Sequence, residues 1–499
     1  MRTAPGAFSL PLSVDRRSAS PLHRQVYDGF RAAILARALR SGQRIPSTRA
    51  LAADLGISRI PVLHAYAQLL AEGYFESRRG SGTFVSNLFP SAGARPHQAY
   101  GSRIRTLPSP ARRRIARLAR DLAGPAKRDP WMRGQGAFSI GQPALDAFPL
   151  RAWSSLIARH CRNPLARSLL YGDAMGFKGL RAAIAAYLRT SRGVRCETDQ
   201  VMIVSGSQQA LDLSARVLLD PSSAVWMEEP GYWLAQRVLR AAGCRLVPVP
   251  VSAEGLDVAA GIVRCPNARA AFVTPSHQYP LGVTMSASRR LHLLGWAHRT
   301  GAWIVEDDYD SEYRYESRPV ASLQGLDDAS CVIYIGTFSK VLFPSLRVGY
   351  VVIPPALLDS FLAMRQAMDV APPHFSQAVL ADFITEGHFA RHIRRMRMLY
   401  AERREALVTA LAREAAGTLR VIGGEAGMYV TVALERRRDD VQIARRAARD
   451  GLWLWPLSPA YHDPRGKAAQ HGFILGFGST PTSRIPDAVR RLRALLTRE

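Results

Sequence analysis

One residue that could carry covalent chemistry is a lysine in the stretch GTFSKVLFPSLRVGY, residues 336–350. Of the chain's 67 lysines and arginines, only four are lysines: Lys127, Lys178, Lys340 and Lys467. Arginine does not readily lose its proton, whereas a lysine amine can act as a nucleophile. A single lysine is normally a solvated surface group, so its scarcity is a weak signal. The neighbouring Ser339 and the later Arg347 make Lys340 a candidate for Schiff-base chemistry.

Pyridoxal 5′-phosphate (PLP) is a cofactor that a lysine amine binds covalently, and it makes three further demands on a protein. Its pyridine nitrogen requires a carboxylate, its phosphate an arginine, hydroxyls and a helix N-terminus, and its ring an aromatic face. Taken singly, an Asp-Asp pair is usually a cap or a metal site, and Gly-Ser-Gln-Gln is an ordinary helix start. Their joint order along the chain indicates a PLP site. The residues in that order are Ser207, Gln208, Tyr232, Asp307, Ser339, Lys340 and Arg347.

The elements that must position these residues are predicted strands that alternate with helices from about residue 136 onward. This alternation predicts an α/β fold with a parallel sheet, in which sites form at the carboxyl ends of the strands. The β-rich runs are VMIV (201–204), AVWME (224–228), AAFVTP (270–275), AWIVED (302–307), CVIYIG (331–336) and VGYVVIP (348–354). Near the end of the chain, GMYVTVAL, LWLWPL and GFILGFGS predict a small α+β subdomain.

Composition predicts several domains and a polyanionic partner. A chain of 499 residues is too long for one ordinary core, and its net charge is +27. The charge is concentrated at the front: residues 1–85 carry 12 arginines and five acids, and residues 86–135 carry 11 basic residues and two acids. A high-GC coding bias toward arginine is the alternative explanation. We predict a DNA-binding domain over 1–86, a basic flexible linker over 87–135, and a body over 136–499.

The remaining composition argues against several classes of protein. The sequence has no run of about 18 uncharged apolar residues, so we predict no membrane span. The first residues lack the apolar core of a signal peptide. The five cysteines are scattered without CxxC spacing, which fits a reducing compartment. We therefore expect a cytoplasmic protein and predict no metal site.

The front of the chain has the pattern of a helix-turn-helix. Apolar residues at helical spacing predict a first helix; they are Leu22, Val26, Phe30, Ile34 and Leu35. Ser47 is a predicted N-cap, Gly56 a predicted turn, and Ser58 the cap of a second helix that runs to about Glu72. A hairpin with a basic tip follows. The candidate DNA contacts are Ser47, Thr48, Arg49, Ser58, Arg59, His64, Arg78, Arg79 and Gly80. A three-helix packing module with solvated arginines is the alternative.

The segment from PLHRQVYDGFRAAI to ESRRGSGTFV resembles the winged helix-turn-helix of GntR-type bacterial regulators over nearly its whole length. Many members have Asn-Thr after the Ser-Arg of the recognition helix. This chain has Ile60 and Pro61 instead, a departure at positions that bear on base specificity.

Residues 136–499 resemble the fold-type I aminotransferases of class I, through the order above and through YGDAMGFKGLRAAIAAYL and TPSHQYPLG. The resemblance implies a Schiff base at Lys340 and a pyridine partner in Asp307. It implies that Tyr232 stacks on the ring and that Tyr309 approaches the cofactor hydroxyl. Tyr171 would reach the phosphate of a partner subunit. The phosphate of the same subunit would be held by Ser207, Gln208, Ser339 and Arg347.

Two departures from the aminotransferase pattern concern the ligand. His277 and Gln278 stand in the cofactor-binding element where an Asn is usual. The C-terminal strand commonly carries an arginine that grips the substrate α-carboxylate, and this chain has Ile474 and Leu475 near that place. Arg465 is a candidate substitute. This loss weakens the case for ordinary amino-acid transamination.

Together the two halves resemble the MocR subfamily of GntR regulators. That resemblance implies a homodimer, often with exchanged heads, that binds double-stranded operator DNA. It also implies a PLP domain that senses PLP or a small amine or amino-acid effector. A catalytic aminotransferase is the second hypothesis, and a degenerate dimerisation scaffold is the third.

Overall fold

The computed structural model describes residues 12–78, 80–86, 115–122, 129–132, 134–162, 170–315 and 321–497. The chain divides into two compact units, which we call the head (1–113) and the body (114–499). Trp131 and Met132, from the end of the predicted linker, belong to the body. The linker over 87–135 stays a prediction. Among the described helices, none has the length and apolar character needed to cross a membrane.

The head is a three-helix module with a small antiparallel sheet, in the strand order β1-β3-β2. Its centre is an aromatic trio of Phe30, Tyr66 and Phe75, whose rings meet edge to face with centroids 5.2–5.6 Å apart. Leu35, which the pattern placed on the buried face, is 54% exposed. The elements are α1 (Leu22–Leu35), β1 (Arg44–Ile45), α2 (Thr48–Asp54), α3 (Arg59–Ala71), β2 (Phe75–Arg78) and β3 (Gly82–Val85).

The predicted helix-turn-helix is confirmed. The Ser47 side chain caps α2 by accepting a hydrogen bond of 3.2 Å from the backbone N–H of Ala50. Gly56 has φ of +63°, a left-handed conformation that glycine adopts without steric cost, and it turns the chain between α2 and α3. Ser58 holds the N-cap position of α3 with extended backbone, although its side chain makes no capping bond.

The body is built on an eight-stranded sheet in the order β4-β11-β10-β9-β8-β5-β6-β7. Its strands are β4 (Val201–Val204), β5 (Ala224–Glu229), β6 (Arg245–Ser252), β7 (Gly255–Leu256), β8 (Ala270–Val273), β9 (Trp303–Asp308), β10 (Val332–Thr337) and β11 (Gly349–Val352). The six predicted strands are all present. The helices before β12 are α4 (Arg117–Leu122), α5 (Leu150–Arg162), α6 (Lys178–Arg192), α7 (Ser207–Leu218), α8 (Trp233–Ala241), α9 (Val258–Arg264), α10 (Ala287–Thr300), α11 (Leu358–Asp369), α12 (His374–Thr385) and α13 (His388–Glu414).

The prediction of a parallel sheet is wrong for β11, which runs antiparallel to both β10 and β4. Strands β10, β9, β8, β5 and β6 are mutually parallel. Only residues 338–348 connect β10 to β11. A parallel crossover needs about a dozen residues or more, usually including a helix, so this short connection returns the chain in the opposite direction.

Helices cover both faces of the sheet. On one face, α5, α6, α12 and α13 pack on side chains such as Ile203, Tyr334 and Val352. On the same face, α9 and α10 form a second core, with Val332 of β10 two residues before Tyr334. In this second core, Trp226 stacks on Trp296 with ring centroids 3.8 Å apart. On the opposite face, α7, α8 and α11 pack on the alternate side chains, such as Ile333 and Ile335. The sheet is therefore buried on both sides, as its near-continuous apolar strands predict.

The predicted C-terminal subdomain is a four-stranded antiparallel sheet in the order β12-β13-β15-β14. The fully buried Asp440, at the start of α14, connects this helix to the segments around β14 and β15. Its carboxylate accepts backbone N–H bonds from Leu457, Ser458 and Gly472, and a 2.6 Å bond from the Ser458 hydroxyl. The elements are β12 (Leu419–Gly423), β13 (Tyr429–Leu434), α14 (Asp440–Arg449), β14 (Trp455–Pro456), β15 (Gly472–Gly476) and α15 (Ile485–Thr497).

Replacing Asp440 should loosen this subdomain strongly. In Asp440→Ala protein, the backbone donors of Ser458 and Gly472 and the Ser458 hydroxyl lose a buried charged acceptor, while the Leu457 N–H keeps its bond to Gly472 O. We expect a loss of roughly 3–5 kcal/mol. The matched control is Asp439→Ala, which removes only the cap that accepts from Gln442 N and should cost about 1 kcal/mol. Amide hydrogen exchange of β14 and β15 measures the difference. Equal protection in the two variants would contradict the anchoring role of Asp440.

Candidate cofactor site

The carboxyl ends of β4, β5, β8, β9 and β10 meet at one edge of the body sheet and open into a cavity of about 320 Å³. Because β11 is reversed, Arg347, just before its first residue, reaches the same edge. The lining residues are Met132, Ile140, Gly141, Ser207, Gln208, Tyr232, Trp233, Leu234, Thr274, Tyr279, Asp307, Tyr309, Asp310, Thr337, Ser339, Lys340, Arg347, Met428, Tyr429 and Trp455. Eight predicted site residues therefore come together.

Lys340 presents its amine to this cavity. The Nζ atom lies 3.4 Å from the carbonyl oxygen of Gly141, and a side-chain carbon at Gly141 would come within 2.4 Å of it. Burial lowers the pKa of the Lys340 amine, and the carboxylates of Asp310 and Asp307 partly offset that effect. A lowered pKa increases the neutral fraction of the amine, which is the nucleophilic form.

Asp307 and Asp308, at the end of β9, point to opposite faces of the sheet, because successive side chains alternate across a strand. Asp308 points away from the cavity and forms a buried ion pair with Arg192, 2.7 Å between Oδ2 and Nη2. Asp307 lines the cavity, and its Oδ1 atom has no hydrogen-bond partner among the described residues. Burial, with the nearby charges of Asp308 and Asp310, raises the pKa of Asp307 to about 7. The cavity thus contains a carboxylate that lacks a cationic partner.

One end of the cavity is suited to an anion. Ser207 and Gln208 begin α7, whose N-terminal N–H groups favour negative charge. Arg347 has φ of +51°, and a side-chain carbon at Gly206 would come within 3.1 Å of its guanidinium. The buried Ser339 hydroxyl has no hydrogen-bond partner among the described residues. These groups together have the donors and the positive charge that a phosphate requires.

Aromatic side chains form another part of the cavity wall. The Tyr309 hydroxyl lies 2.9 Å from the Tyr429 hydroxyl and donates to the backbone oxygen of His277 at 3.0 Å. Tyr232 lies on the same cavity, with its hydroxyl 3.5 Å from Gln208 Nε2. Sequence reasoning missed Tyr429, because nothing in β13 distinguishes it from a core tyrosine. It also missed Asp310, which lies three residues after the predicted Asp307.

Three predicted cofactor residues do not line the cavity. His277 Nδ1 lies 2.8 Å from Asp310 Oδ1, and the Gln278 amide donates to Pro230 O at 2.9 Å and to Glu228 Oε2 at 3.2 Å. Both residues therefore hold neighbouring segments in place. Tyr171 is 90% exposed and lies outside the cavity.

The C-terminal strand brings no arginine to the site. Ile474 and Leu475 are both fully buried in β15. Arg465 is exposed and does not line the cavity. Among the described lining residues, Lys340 and Arg347 are the only cations.

The groups present fit PLP. An unpartnered carboxylate, an amine of lowered pKa, an anion site and aromatic rings surround one cavity of suitable size. Asp307 would hold the pyridine nitrogen, Arg347 with Ser207 and Ser339 the phosphate, and Lys340 the aldehyde carbon. When bound, PLP supplies an aldehyde that condenses with amines and a ring that accepts electrons.

In the head, the predicted DNA contacts surround the start of α3. Arg49, Ser58, Arg59 and His64 are exposed, and Arg59 Nε donates to the Thr48 hydroxyl at 3.1 Å. Ser47 is engaged as the α2 cap. In the wing hairpin, Arg78 pairs with Glu76 at 2.5 Å and lies over the Phe84 ring. Gly80 turns the tip with φ of +77°, and Arg79 lies outside the described residues.

Two family models match the chain. Residues 22–85 match the gntR family of bacterial regulatory proteins, and residues 137–466 match the class I and II aminotransferases. The first match runs from α1 to β3 of the head, and the second covers the body up to a point before β15 and α15. The head is therefore a DNA-binding domain of GntR type.

Two curated regulators match almost the whole chain, and a solved aminotransferase matches about three quarters of it. The probable rhizopine catabolism regulatory protein MocR of Rhizobium meliloti is 43% identical over 97% of this chain and 95% of its own length. The pyridoxine biosynthesis regulator PdxR of Corynebacterium glutamicum is 30% identical over 94% and 95%. The solved α-aminoadipate aminotransferase LysN of Thermus thermophilus superposes with a TM-score of 0.70 at 30% identity, over 77% of this chain and 97% of that one.

Because regulators of this type match almost end to end, the head and the body belong to one known architecture rather than to an accidental fusion. The body has the fold of PLP-dependent aminotransferases, and its cofactor is PLP. The chain is a member of the MocR subfamily of GntR-type regulators.

Proposed function

We propose that this protein is a transcriptional regulator in which a PLP site built around Lys340 senses PLP or a small amine and controls the binding of operator DNA. One observation carries the proposal. A nucleophilic lysine, an unpartnered carboxylate and an anion site share one cavity, in a chain whose head is a winged helix-turn-helix. The regulators named above support this use of the cavity for sensing.

The surface at the start of α3 supports DNA binding by the head. Its exposed residues include Arg59, Ile60 and His64, and the recognition helix of such a fold enters the major groove with its N-terminal residues. Arg49 and Arg78 lie on neighbouring elements and would neutralise phosphates. Ile60, which is 63% exposed, offers an apolar contact to a thymine methyl group.

We further propose that the regulator acts as a homodimer in the cytoplasm, with heads that cross to the opposite bodies. Tyr171 supports a dimer, because a tyrosine that is 90% exposed near the cofactor domain's N-terminal helices suits contact with a partner subunit. A ligand would then change DNA binding only through different affinities for two arrangements of the dimer.

Catalysis is the second candidate function, and it is supported by the presence of Lys340, Asp307 and Arg347 in one cavity. Transamination of amino acids also needs a group that grips the α-carboxylate, and β15 supplies Ile474 instead. Turnover of an amino acid with a 2-oxo acid separates the two functions. A rate of about 1 per second or more would favour the enzyme.

Replacing the lysine should abolish covalent attachment of the cofactor. We expect Lys340→Ala protein to lose the visible absorbance band that PLP gives when bound to a lysine, while it still binds operator DNA. Lys467→Ala is the control, because Lys467 is exposed and outside the cavity. If the Lys340→Ala spectrum kept the band, another amine would be the attachment point.

Asp307→Asn should stabilise the cofactor-free protein at high pH and weaken the binding of PLP. The raised pKa of Asp307 means that the folded cofactor-free body binds more protons than the unfolded chain between about pH 4 and pH 7. Stability therefore falls as the pH rises through that window. We expect the cofactor-free variant to be more stable than the wild type at pH 8, by roughly 1–4 kcal/mol, with little difference at pH 4.

Thermal unfolding at the two pH values, with and without PLP, measures this effect. The variant should also bind PLP more weakly, because an amide does not provide a negative charge. Asp328→Asn, at an exposed pair with Arg195, is the control and should change neither property. A variant that was less stable at pH 8, or that bound PLP as well as the wild type, would contradict the role of Asp307.

Arg59→Ala should weaken operator binding by about 1–3 kcal/mol, because the side chain lies at the start of the recognition helix. Arg24→Ala is the matched control, since Arg24 is exposed on α1 and pairs with Asp28 at 3.2 Å. Fluorescence anisotropy with a promoter fragment at several salt concentrations measures both variants. Equal losses in the two would indicate nonspecific attraction and not recognition by α3.

A further inference from the structure

We propose that the effector of this site is a primary amine without a carboxylate group. The inference rests on the proposed sensing function and specifies its ligand. It derives from the charges that line the cavity and from the side chains that face it from the small subdomain.

The cations of the cavity have other partners. Arg347 lies beside Gly206 and Ser207 at the phosphate end, so a bound phosphate would neutralise it. Lys340 is the amine that the cofactor aldehyde would use. Among the described lining residues no third cation remains for a ligand carboxylate. Arg237 lies over the outer ring of Trp233, 5.7 Å from its centroid, and does not line the cavity.

The register of the small sheet identifies which residue of β15 packs toward the site. Ile474 lies opposite Thr431 and Trp455. It packs in one cluster with Tyr279 and Tyr429, both of which line the cavity. Leu475, one residue later, points to the opposite face and into the helical core. Ile474 therefore packs behind the tyrosines of the cavity wall without lining the cavity itself, and it is apolar and fully buried.

The remaining lining favours an ammonium group over a carboxylate. Asp310 lines the cavity and has His277 as its close side-chain partner among the described residues, whereas Asp307 would be paired with the pyridine nitrogen of the cofactor. Trp233 and Trp455, with ring centroids 6.2 Å apart, and Tyr279 provide aromatic surface. The structure records no hydrogen-bond partner for the Tyr279 hydroxyl within the described ranges, which leaves it for a neutral polar group. A carboxylate placed among these groups would be desolvated without a partner.

The test compares ligands that differ at one group. Full-length, PLP-loaded protein is titrated with 3-aminopropan-1-ol against 3-aminopropanoate, and with tyramine against tyrosine, while the visible absorbance of the cofactor is followed. We expect the dissociation constant of each carboxylate-free amine to be lower than that of the matching amino acid by a factor of about ten or more. Equal or tighter binding of the amino acids would overturn the inference, and so would the absence of any response to the two amines.

A variant tests whether the missing cation sets this preference. Trp455 is half-buried on the cavity wall, and Trp455→Arg should narrow or invert the preference in both pairs, whereas Trp455→Phe should preserve it. An unchanged preference in folded, PLP-loaded Trp455→Arg protein would contradict the charge argument. The proposed function is judged separately, by the Lys340-dependent absorbance band and by operator binding. Failure of the ligand comparison leaves both of those results standing.

Discussion

The cofactor site depends on the shared direction of the strands that end at it. Each of β4, β5, β8, β9 and β10 delivers one polar segment to the same edge of the body sheet, although these segments are far apart along the chain. The reversal of β11 completes the arrangement. Lys340 follows the end of β10 and Arg347 precedes the start of β11, so both residues lie at the same edge of the sheet. A parallel β11 would have placed the arginine at the far end of the sheet. The short connection between the two strands is thus as important as the residues themselves.

Buried charge is treated in two ways in the body. Asp308 forms a buried ion pair with Arg192 through Oδ2, and the Tyr334 hydroxyl donates to the same oxygen at 2.5 Å. Asp307, its neighbour in sequence, lines the cavity, where neither its Oδ1 atom nor the Ser339 hydroxyl has a hydrogen-bond partner among the described residues. Unsatisfied buried groups cost stability and usually mark a site where a ligand completes the bonding. The contrast between two adjacent aspartates separates the scaffold from the site.

The same fold can serve catalysis or sensing, so the distinction lies in particular side chains. The groups that would hold PLP line one cavity, whereas β15 carries the apolar Ile474 and Leu475 and no arginine. A body that keeps its cofactor chemistry but changes its ligand specificity suits a sensor that is attached to a DNA-binding head. Tyr279, Trp233 and Trp455 make the ligand side largely aromatic.

Sequence alone determined the head, the six main strands and the order of the cofactor residues, because helix caps, apolar periodicity and local motifs are properties of neighbouring residues. Ser47, Gly56, Asp307 and Lys340 could all be identified in this way. Tertiary structure decided the direction of β11, the division of Asp307 from Asp308, and the contribution of Tyr429. It also separated Gln278, which bonds to neighbouring segments, from the residues that line the cavity. These outcomes depend on contacts between segments that are far apart in the sequence. Periodicity and local motifs describe only neighbouring residues, so they do not predict such contacts.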